Sequence, residues 1–374
     1  MAKRPRLHVA TRKGLFTVER KRSWRIAGVD FLGDNCSAVL AHPGNRALYV
    51  ALDHGHFGVK LHRSTDGGAS WHEIAAPRYP PTPEGEAEWV DMHGRAIPDS
   101  LLLIWCLEAD HPERPHGLWC GTVPGALFHS DDDGDSWRRV DALWDHPLRR
   151  RWFGGGMDYP GIHSVCTDPG DAGRIRVAVS CGGVWESGDA GASWECIGEG
   201  WRAEFMPPEQ AGDPAIQDVH RLGQCPAAPE TLWAQHHNGI FRSSDGGRRW
   251  TELEGVSPSA FGFALAVHPG DPGTAWFAPA IKDERRVPVG GRLVVNRTRD
   301  GGASFETLTR GLPQEHAYDL VYRHGLDVDA GGELLAMGST TGSLYVSEDT
   351  GESWHCVSTH LPPVYAVRFA PVAT

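Results

Sequence analysis

The chain has 374 residues and a formal net charge of −12 at pH 7. This acidic balance argues against a broad nucleic-acid footprint, because phosphate binding needs a concentrated positive patch. No run of about 18 apolar residues occurs, so we expect no membrane span. Three of residues 1–6 are basic, but no long apolar stretch follows them. The eight cysteines are scattered and form no CxxC pair. We therefore expect a cytoplasmic protein with reduced thiols and no signal peptide.

The predicted elements at the start of the chain are short strands. Residues 7–11, 14–18 and 23–26 form three of them, and residues 36–42 and 47–52 form two more, separated by a Pro-Gly turn. An alternating apolar run over 58–63 then leads into the motif Ser-x-Asp-x-Gly-x-x-Trp at 64–71. We expect the Asp and Ser side chains to hydrogen-bond their own turn, and the Trp to anchor it between sheets.

The motif occurs six times along the chain, once with Thr and Phe in place of Ser and Trp. Its copies are spaced by roughly 50–65 residues, the length of a four-stranded propeller blade with extended loops. Each copy follows a predicted strand, and in most repeats two strands joined by a Pro/Gly turn precede that one. Every repeat thus predicts strands A to D, with the motif between C and D. The motif aspartates are Asp66, Asp132, Asp189, Asp245, Asp300 and Asp349.

The two ends of the chain complete the count of blades. Residues 363–369 form a lone strand A, and the three strands within residues 7–26 supply B, C and D of the same blade. Closure of the ring by both ends removes the open sheet edges that would otherwise be exposed. The sequence therefore predicts an all-β, seven-bladed β-propeller that forms a single domain over residues 1–374.

The repeated motif resembles that of the bacterial Asp-box, or BNR-repeat, propellers, which are often labelled sialidase-like or glycosyl hydrolases. The stretches His54-Gly-His-Phe, Gln235-His-His-Asn-Gly and Leu361-Pro-Pro-Val are similar to sequences of that family. The resemblance implies a propeller over nearly the whole chain, whereas function resides in a separate site. Sialidases themselves use six blades and three arginines around a carboxylate, and their Arg-Ile-Pro signature is missing from this sequence.

Histidines are common on the B–C and D–A connections, which should face the channel mouth at the end opposite the motif turns. Neutral imidazole is the commonest nitrogen ligand of transition metals. We therefore expect a divalent ion (Zn, Fe or Mn) at the mouth, although packed histidines that bond only the backbone are the alternative. The expected ligands are His54, His56, His163, His220 and His237.

Part of this expectation comes from aligning the seven A strands by the turn that ends each one. Pseudo-sevenfold symmetry should place the residue six positions before that turn at one level of the channel. In blade order, this rule selects Ser37, Cys106, His163, His220, Phe263, His324 and Tyr365.

Other polar residues on the same face are candidates for catalysis and substrate binding. Asp218 lies two residues before His220 and so shares its side of the strand, and Asp53 could orient a neighbouring imidazole. Both are candidate catalytic residues. Candidate substrate-binding residues, two arginines for an anionic group and two amides for polar groups, are Arg286, Arg323, Gln235 and Asn238.

These features favour a metal-dependent enzyme, most simply a hydrolase of a small or sugar-like substrate at the channel mouth. An all-histidine site would also suit redox chemistry on iron or copper, and the sequence does not choose. One alternative is a metal-free glycoside hydrolase or lyase acting on anionic sugars. Its candidate residues are Asp91, Asp158, Asp218, Asp319 and Tyr318. Another alternative is a non-enzymatic binding or assembly propeller, like the Asp-box factors that help to build photosynthetic complexes.

Three D–A connections are long, at residues 86–100, 144–161 and 201–217. Loops of this length in a compact fold usually carry a function or form a lid.

Overall fold

A computed structural model describes residues 5–81, 84–85 and 88–371 and shows seven four-stranded antiparallel sheets. Strand A of each blade contacts strand A of both neighbouring blades, so seven A strands surround a central channel. The all-β, seven-bladed propeller predicted from the sequence is confirmed. Glu86, at the start of the predicted loop 86–100, lies outside the described residues.

Six blades are each built from four consecutive strands. In the order A to D, blade 1 has Asn35–Ala41, Leu48–Asp53, Val59–Ser64 and His72–Ile74, and blade 2 has Leu103–Ala109, Leu118–Val123, Leu127–Ser130 and Arg138–Arg139. Blade 3 has Ile162–Asp168, Asp171–Val179, Gly183–Ser187 and Glu195–Ile197, and blade 4 has Val219–Cys225, Ala228–His236, Ile240–Ser243 and Thr251–Glu252. Blade 5 has Gly262–Val267, Ala275–Pro279, Val295–Thr298 and Glu306–Leu308, and blade 6 has Leu326–Val328, Leu335–Gly338, Leu344–Ser347 and His355–Ser358.

Blade 7 closes the ring with strands from both ends of the chain. Its strand A is Val364–Phe369, and strands B, C and D are Arg6–Thr11, Gly14–Arg20 and Trp24–Asp30. Leu7 pairs with Phe369 in the antiparallel ladder that joins the two ends. The inward side chains of this ladder are fully buried, so apolar packing as well as main-chain hydrogen bonds holds the ring shut.

Helical segments are few and short, and all lie on connections. The α-helix is Asp141–Trp144, and the 3-10 helices are Gly55–Phe57, Pro147–Arg151, Pro214–Ile216 and Val289–Gly291. Among the described residues, none of these helices has the length and apolar character needed to cross a membrane.

The six motif turns connect strands C and D and share one hydrogen-bond pattern. In blade 1, the Ser64 hydroxyl donates to Asp66 Oδ1 at 2.8 Å and accepts from the main-chain N–H of Gly68 at 2.9 Å. The same pair of bonds recurs in the other five copies. Because each motif satisfies its own turn, it fixes the outer edge of a blade rather than building a site.

A β-bulge interrupts strand A at a similar level in six of the seven blades. At each bulge one residue of strand A has no partner in strand B, and the strand bends there. The bulged residues are Ser37, Trp105, His163, His220, Phe263 and Tyr365. Five of them are residues that the sequence alignment selected. In blade 2 the alignment was wrong by one position, because the bulged residue is Trp105 and not Cys106.

Candidate functional site

A pocket of about 270 Å³ opens at the channel mouth, on the face opposite the A–B turns. The bulged residues Ser37, Trp105 and Tyr365 form part of its wall. The connections add Arg286 and Arg323, two of the arginines predicted to bind substrate. The structure therefore places polar and aromatic side chains from blades far apart in sequence around one cavity at the expected end of the channel.

A second cluster lies beside this pocket, where blade 4 meets blade 5. One ligand atom from each of Asp218, His220 and His237 falls within 4.8 Å of the others. His220 Nε2 lies 3.3 Å from Asp218 Oδ2, and His237 Nδ1 lies 3.4 Å from the same oxygen. Among the described residues, this is the one group of three or more His, Cys, Asp or Glu side chains with metal-binding spacing.

The local backbone explains why these three residues meet. Asp218 immediately precedes strand A of blade 4, and His220 is the bulged residue of that strand. The main-chain N–H of His237, in the B–C connection, donates to the main-chain carbonyl of Asp218 at 2.9 Å. This bond extends the pairing of the two strands by one step and brings the imidazole to the carboxylate.

The orientation of His220 is fixed by a backbone carbonyl and an aromatic ring. Its Nδ1 atom lies 2.6 Å from the carbonyl oxygen of Gly262, and its ring stacks on Phe263 with centroids 4.4 Å apart. A carbonyl oxygen can only accept, so Nδ1 carries the hydrogen. In the neutral imidazole, Nε2 therefore presents a lone pair to Asp218.

Burial and charge oppose each other across the cluster. Burial raises the pKa of Asp218, but the charge and hydrogen bond that His220 supplies when protonated, the hydrogen bond of His237 and the charge of Arg323 hold it well below its usual range. Burial lowers the pKa of His220, and Asp218 offsets only part of that effect. Burial also lowers the pKa of His237, yet its hydrogen bond to Asp218 and the nearby carboxylate charges outweigh burial and raise it. The carboxylate is thus ionised at neutral pH.

Phe263 connects the cluster with two arginines of the pocket. Phe263 stacks on His220, and the guanidinium carbons of Arg286 and Arg323 lie 5.3 and 5.4 Å from its ring centroid. The loop between blades 2 and 3 also connects the two places. A Cβ atom at Gly155 would lie 3.5 Å from Asp218 Oδ2, and Gly156 lines the pocket. Part of the predicted loop 144–161 therefore forms this edge of the site.

Three of the five histidines predicted as metal ligands do not join the cluster. His163 is fully buried, and its two ring nitrogens contact Ser164 Oγ at 2.9 Å and the carbonyl oxygen of Val219 at 2.7 Å. Neither nitrogen is free for a metal ion, which corrects the expectation for this residue.

His54 and His56 are also separated from the cluster. We predicted an extended chain that would point both imidazoles the same way, but Gly55–Phe57 is a 3-10 helix. His54 Nε2 lies 3.8 Å from Asp34 Oδ1, and His56 is exposed beside the ring of Phe57. The turn, made possible by the positive φ of Gly55, removes the two-residue periodicity on which the prediction depended.

The two amide side chains predicted to bind substrate form hydrogen bonds within the protein. The Gln235 side chain is buried, and its Nε2 atom donates to the carbonyl oxygens of His236, Gly239 and Ala260. Asn238 Oδ1 accepts from the main-chain N–H of Glu204 at 3.2 Å and so ties down loop 201–217. Because these polar groups are already bonded, they hold the connections around His237 in place.

Several carboxylates proposed for metal-free catalysis are also engaged by the protein. Asp91 Oδ1 accepts two main-chain N–H groups of its own turn, and Asp319 Oδ1 accepts the hydroxyls of Ser339 and Thr341. Asp158 is exposed. Of the candidate carboxylates, Asp53 lines the pocket, where it accepts hydrogen bonds from Asn35 Nδ2 and the N–H of Gly55.

The aromatic pocket residues Trp105 and Tyr322 were not predicted from the sequence. Trp105 was missed because blade 2 has one additional residue, within Asp110-His111, before the proline used for alignment. The strand alternation around residue 105 would have been the better signal. Tyr322 lies in an irregular connection that carries no repeat pattern.

No protein-family model matches the chain. It is 24% identical over 277 residues to the xyloglucanase Xgh74A of Acetivibrio thermocellus, a match that covers 63% of this chain and 30% of that protein.

Two solved structures are similar to almost the whole chain. An ancestral GH74 enzyme superposes with a TM-score of 0.58 at 16% identity, covering 89% of this chain and 38% of that one. YCF48 bound to D1 peptide superposes with a TM-score of 0.50 at 16% identity, covering 92% and 87%. At such identities the likeness shows the fold alone. The class defined by fold and site is thus a seven-bladed β-propeller with a pocket and a His-Asp cluster at its channel mouth.

Proposed function

We propose that this protein is a metal-dependent hydrolase that acts on a sugar-like substrate at the channel mouth. Its divalent transition metal would be held by Asp218, His220 and His237. The observation that carries the proposal is the convergence of one oxygen and two nitrogen donors within 4.8 Å.

The electrostatics of the cluster favour a cation among these atoms. With Nδ1 bonded to the carbonyl of Gly262, the Nε2 lone pair of His220 faces a carboxylate oxygen only 3.3 Å away. Two acceptors at this distance repel unless a proton or a metal ion lies between them. A ring N–H that donates to a backbone carbonyl is also the usual way in which proteins orient a metal-binding histidine.

The donor set suits zinc, iron or manganese. Two imidazoles and one carboxylate are a common ligand set for catalytic zinc and for non-haem iron. Three protein ligands leave a coordination position for water, whose pKa a divalent metal lowers towards neutrality. The His237 side chain is 25% exposed, so the cluster is accessible from the mouth.

The proposed substrate class draws on the pocket and on one relative. Trp105, Tyr322 and Tyr365 give the pocket aromatic surfaces, and Asp53 and Ser37 give it polar ones. Such a mixture suits a polyhydroxylated ring, which has both apolar faces and hydroxyl groups. The relative that matches 63% of the chain is named a xyloglucanase, which supports a glycoside as substrate.

Elemental analysis of untagged protein purified without chelators tests the metal site. We expect about one Zn, Fe or Mn per chain in the wild type, because three protein ligands suffice for a catalytic site. His220→Ala and Asp218→Asn should lose the metal. The matched control is the double variant His54→Ala/His56→Ala, which removes two imidazoles outside the cluster and should retain it.

The activity test uses the same proteins with a panel of neutral and acidic aryl glycosides. Chelation should abolish hydrolysis, and return of the metal should restore it. A wild type that binds no metal, or full activity after chelation, would contradict metal dependence and favour the metal-free alternative. Equal metal content in wild type and His220→Ala would show that the ion binds elsewhere.

A further inference from the structure

The channel-mouth pocket contains two guanidinium groups directed at one aromatic ring. Arg286 and Arg323 both line the cavity, and both guanidinium carbons lie within 5.4 Å of the Phe263 centroid. Arg323 also lies over Trp105, at 4.8 Å from the ring centroid. The two like charges lie close enough that Arg286 contributes to lowering the pKa of Arg323, after the larger effect of burial, to about 10. With a pKa of about 10, Arg323 remains charged at neutral pH.

Within the described part of the chain, the guanidinium of Arg323 forms no direct ion pair, and the charge of Asp218 acts on it only from a longer distance. The residue is 8% exposed, and no described side chain or carbonyl forms a hydrogen bond or ion pair with it. Its Nε atom is buried without a partner. A buried charge without a partner is costly, so proteins seldom keep one unless it has a ligand.

Two other buried arginines of this protein each contact a carboxylate directly. Arg176 contacts Glu186 at 2.8 Å, and Arg297 contacts Glu306 at 2.7 Å. Arg176 lies on strand B of blade 3 and Arg297 on strand C of blade 5, and neither lines the pocket. Arg323 has an equally inaccessible position but faces the cavity, which is where a partner from solution would bind.

Arg286 has a carboxylate partner, Asp283, whereas the acidic residue of the pocket lining is bonded elsewhere and pairs with neither arginine. Asp53, the acidic residue of the pocket lining, accepts from Asn35 Nδ2 at 3.1 Å and from the N–H of Gly55 at 3.0 Å. Arg286 pairs with Asp283 through Nε and Nη2, and within the described structure its Nη1 atom has no bonded partner. The pocket therefore offers N–H donors from two arginines beside aromatic walls.

We propose that this pocket binds the carboxylate of an acidic sugar, with Arg323 and Arg286 pairing with the carboxylate and Trp105 packing against the sugar ring. Paired guanidinium donors match the two oxygens of a carboxylate. The cavity of about 270 Å³ is slightly smaller than the roughly 300 Å³ at which drug-sized sites begin, so it suits a terminal uronic acid unit. The proposal deepens the proposed function by naming its substrate class, but the binding step does not require the metal.

Calorimetric titration of chelator-treated protein tests this binding separately from catalysis. The probes are sodium D-glucuronate and sodium D-galacturonate, with D-glucose, D-galactose and sodium sulfate as comparisons. We expect the uronates to bind, and Arg323→Met to weaken them by about tenfold or more. Arg323→Lys should bind with intermediate affinity, because it keeps the charge but loses the planar pair of donors.

Thermal unfolding separates this role from a structural one. If Arg323 is kept for a ligand, Arg323→Met should melt at or above the wild-type temperature, because it removes an unpaired buried charge. Arg176→Met, the matched variant of a paired buried arginine, should melt well below it.

Three results would overturn the inference. The first is that uronates bind no more tightly than the neutral sugars, and the second is that sulfate binds as tightly as a uronate. The third is that the Arg323→Met variant binds uronate with the wild-type affinity. Hydrolysis of neutral glycosides by the metal-loaded enzyme, without uronate binding, would refute this inference and leave the proposed function intact. If wild-type protein purified without chelators contains no metal but binds uronates, the proposed metal dependence is refuted and this inference is left intact.

Discussion

Replacing Asp110 by Asn tests how strongly one buried carboxylate stabilises blade 2. The Asp110 side chain lies in the A–B turn and is 1% exposed. It accepts hydrogen bonds from the His111 main chain at 2.7 Å, Trp119 Nε1 at 3.0 Å and His129 Nε2 at 2.9 Å. Burial raises the pKa of this carboxyl, but these bonds, led by His129, outweigh burial and lower it to about 2.

The size and pH dependence of the effect follow from that pKa. A decrease from 3.8 to about 2 corresponds to about 2 kcal/mol of native-state stability at neutral pH. The unfolded chain takes up this proton first, so the stabilisation is complete above about pH 4 and is lost as the pH falls through about 2. Asn cannot ionise. Asp110→Asn should therefore lose about 2–3 kcal/mol of unfolding free energy at pH 7 and about half of that at pH 3.

Urea unfolding followed by tryptophan fluorescence at pH 7 and pH 3 measures both values. Asp158→Asn is the control, because that side chain is 89% exposed and should change stability by less than about 0.5 kcal/mol. A deficit of equal size at the two pH values would refute the electrostatic explanation. A deficit no larger than that of the control would refute the role of Asp110 altogether.

Three further substitutions test the packing of the blades. Gly338→Ala would place a Cβ atom 2.5 Å from Val364 Cγ1 in the closing strand, so we expect a loss of about 1–3 kcal/mol of stability in thermal unfolding. The control Gly28→Ala, whose Cβ atom meets nothing within 4 Å, should cost far less. Equal effects of the two substitutions would contradict this view of the closing blade. Ser64→Ala removes the hydroxyl that accepts from the N–H of Gly68 and donates to Asp66. Urea unfolding should show a loss of about 1–2 kcal/mol in unfolding free energy. An unchanged midpoint would show that the motif turn is held by other contacts. Glu186→Gln leaves the 1% exposed guanidinium of Arg176 without its 2.8 Å partner and should cost about 3 kcal/mol in the same assay, unless the longer contact with Glu230 replaces it.

The blade count was predictable because its signals are local. Each motif turn bonds to itself, and each strand alternates in a pattern that a few residues reveal. Even the closing blade could be predicted, since Val364–Phe369 and Arg6–Thr11 each form a recognisable strand and one blade lacks its own strand A. The position of the bulge in strand A was predictable in the five blades where it lies six residues before the aligned turn residue. The prediction failed by one residue in blade 2, where the turn is one residue longer.

The choice among histidines was not predictable, because it depends on long-range contacts. His163 and His220 occupy equivalent bulges in neighbouring blades. His163 Nε2 contacts the carbonyl of Val219, 56 residues away, whereas in His220 it is Nδ1 that bonds a carbonyl, which leaves Nε2 to face Asp218. Nothing in the repeat pattern distinguishes these two rotamers. The unpartnered state of Arg323 is equally invisible in sequence, because it depends on what the surrounding connections leave out.

The closing blade also determines when this ring can be completed on the ribosome. Strand Arg6–Thr11 is synthesised long before Val364–Phe369, the strand that it pairs with in the closed ring. At about 5–20 residues per second, the two are made roughly 20–70 s apart. Throughout that interval the inner edge of Arg6–Thr11 presents unpaired N–H and C=O groups, the kind of edge that recruits foreign strands. A nascent chain of this protein therefore exposes a sheet edge that the closed ring does not.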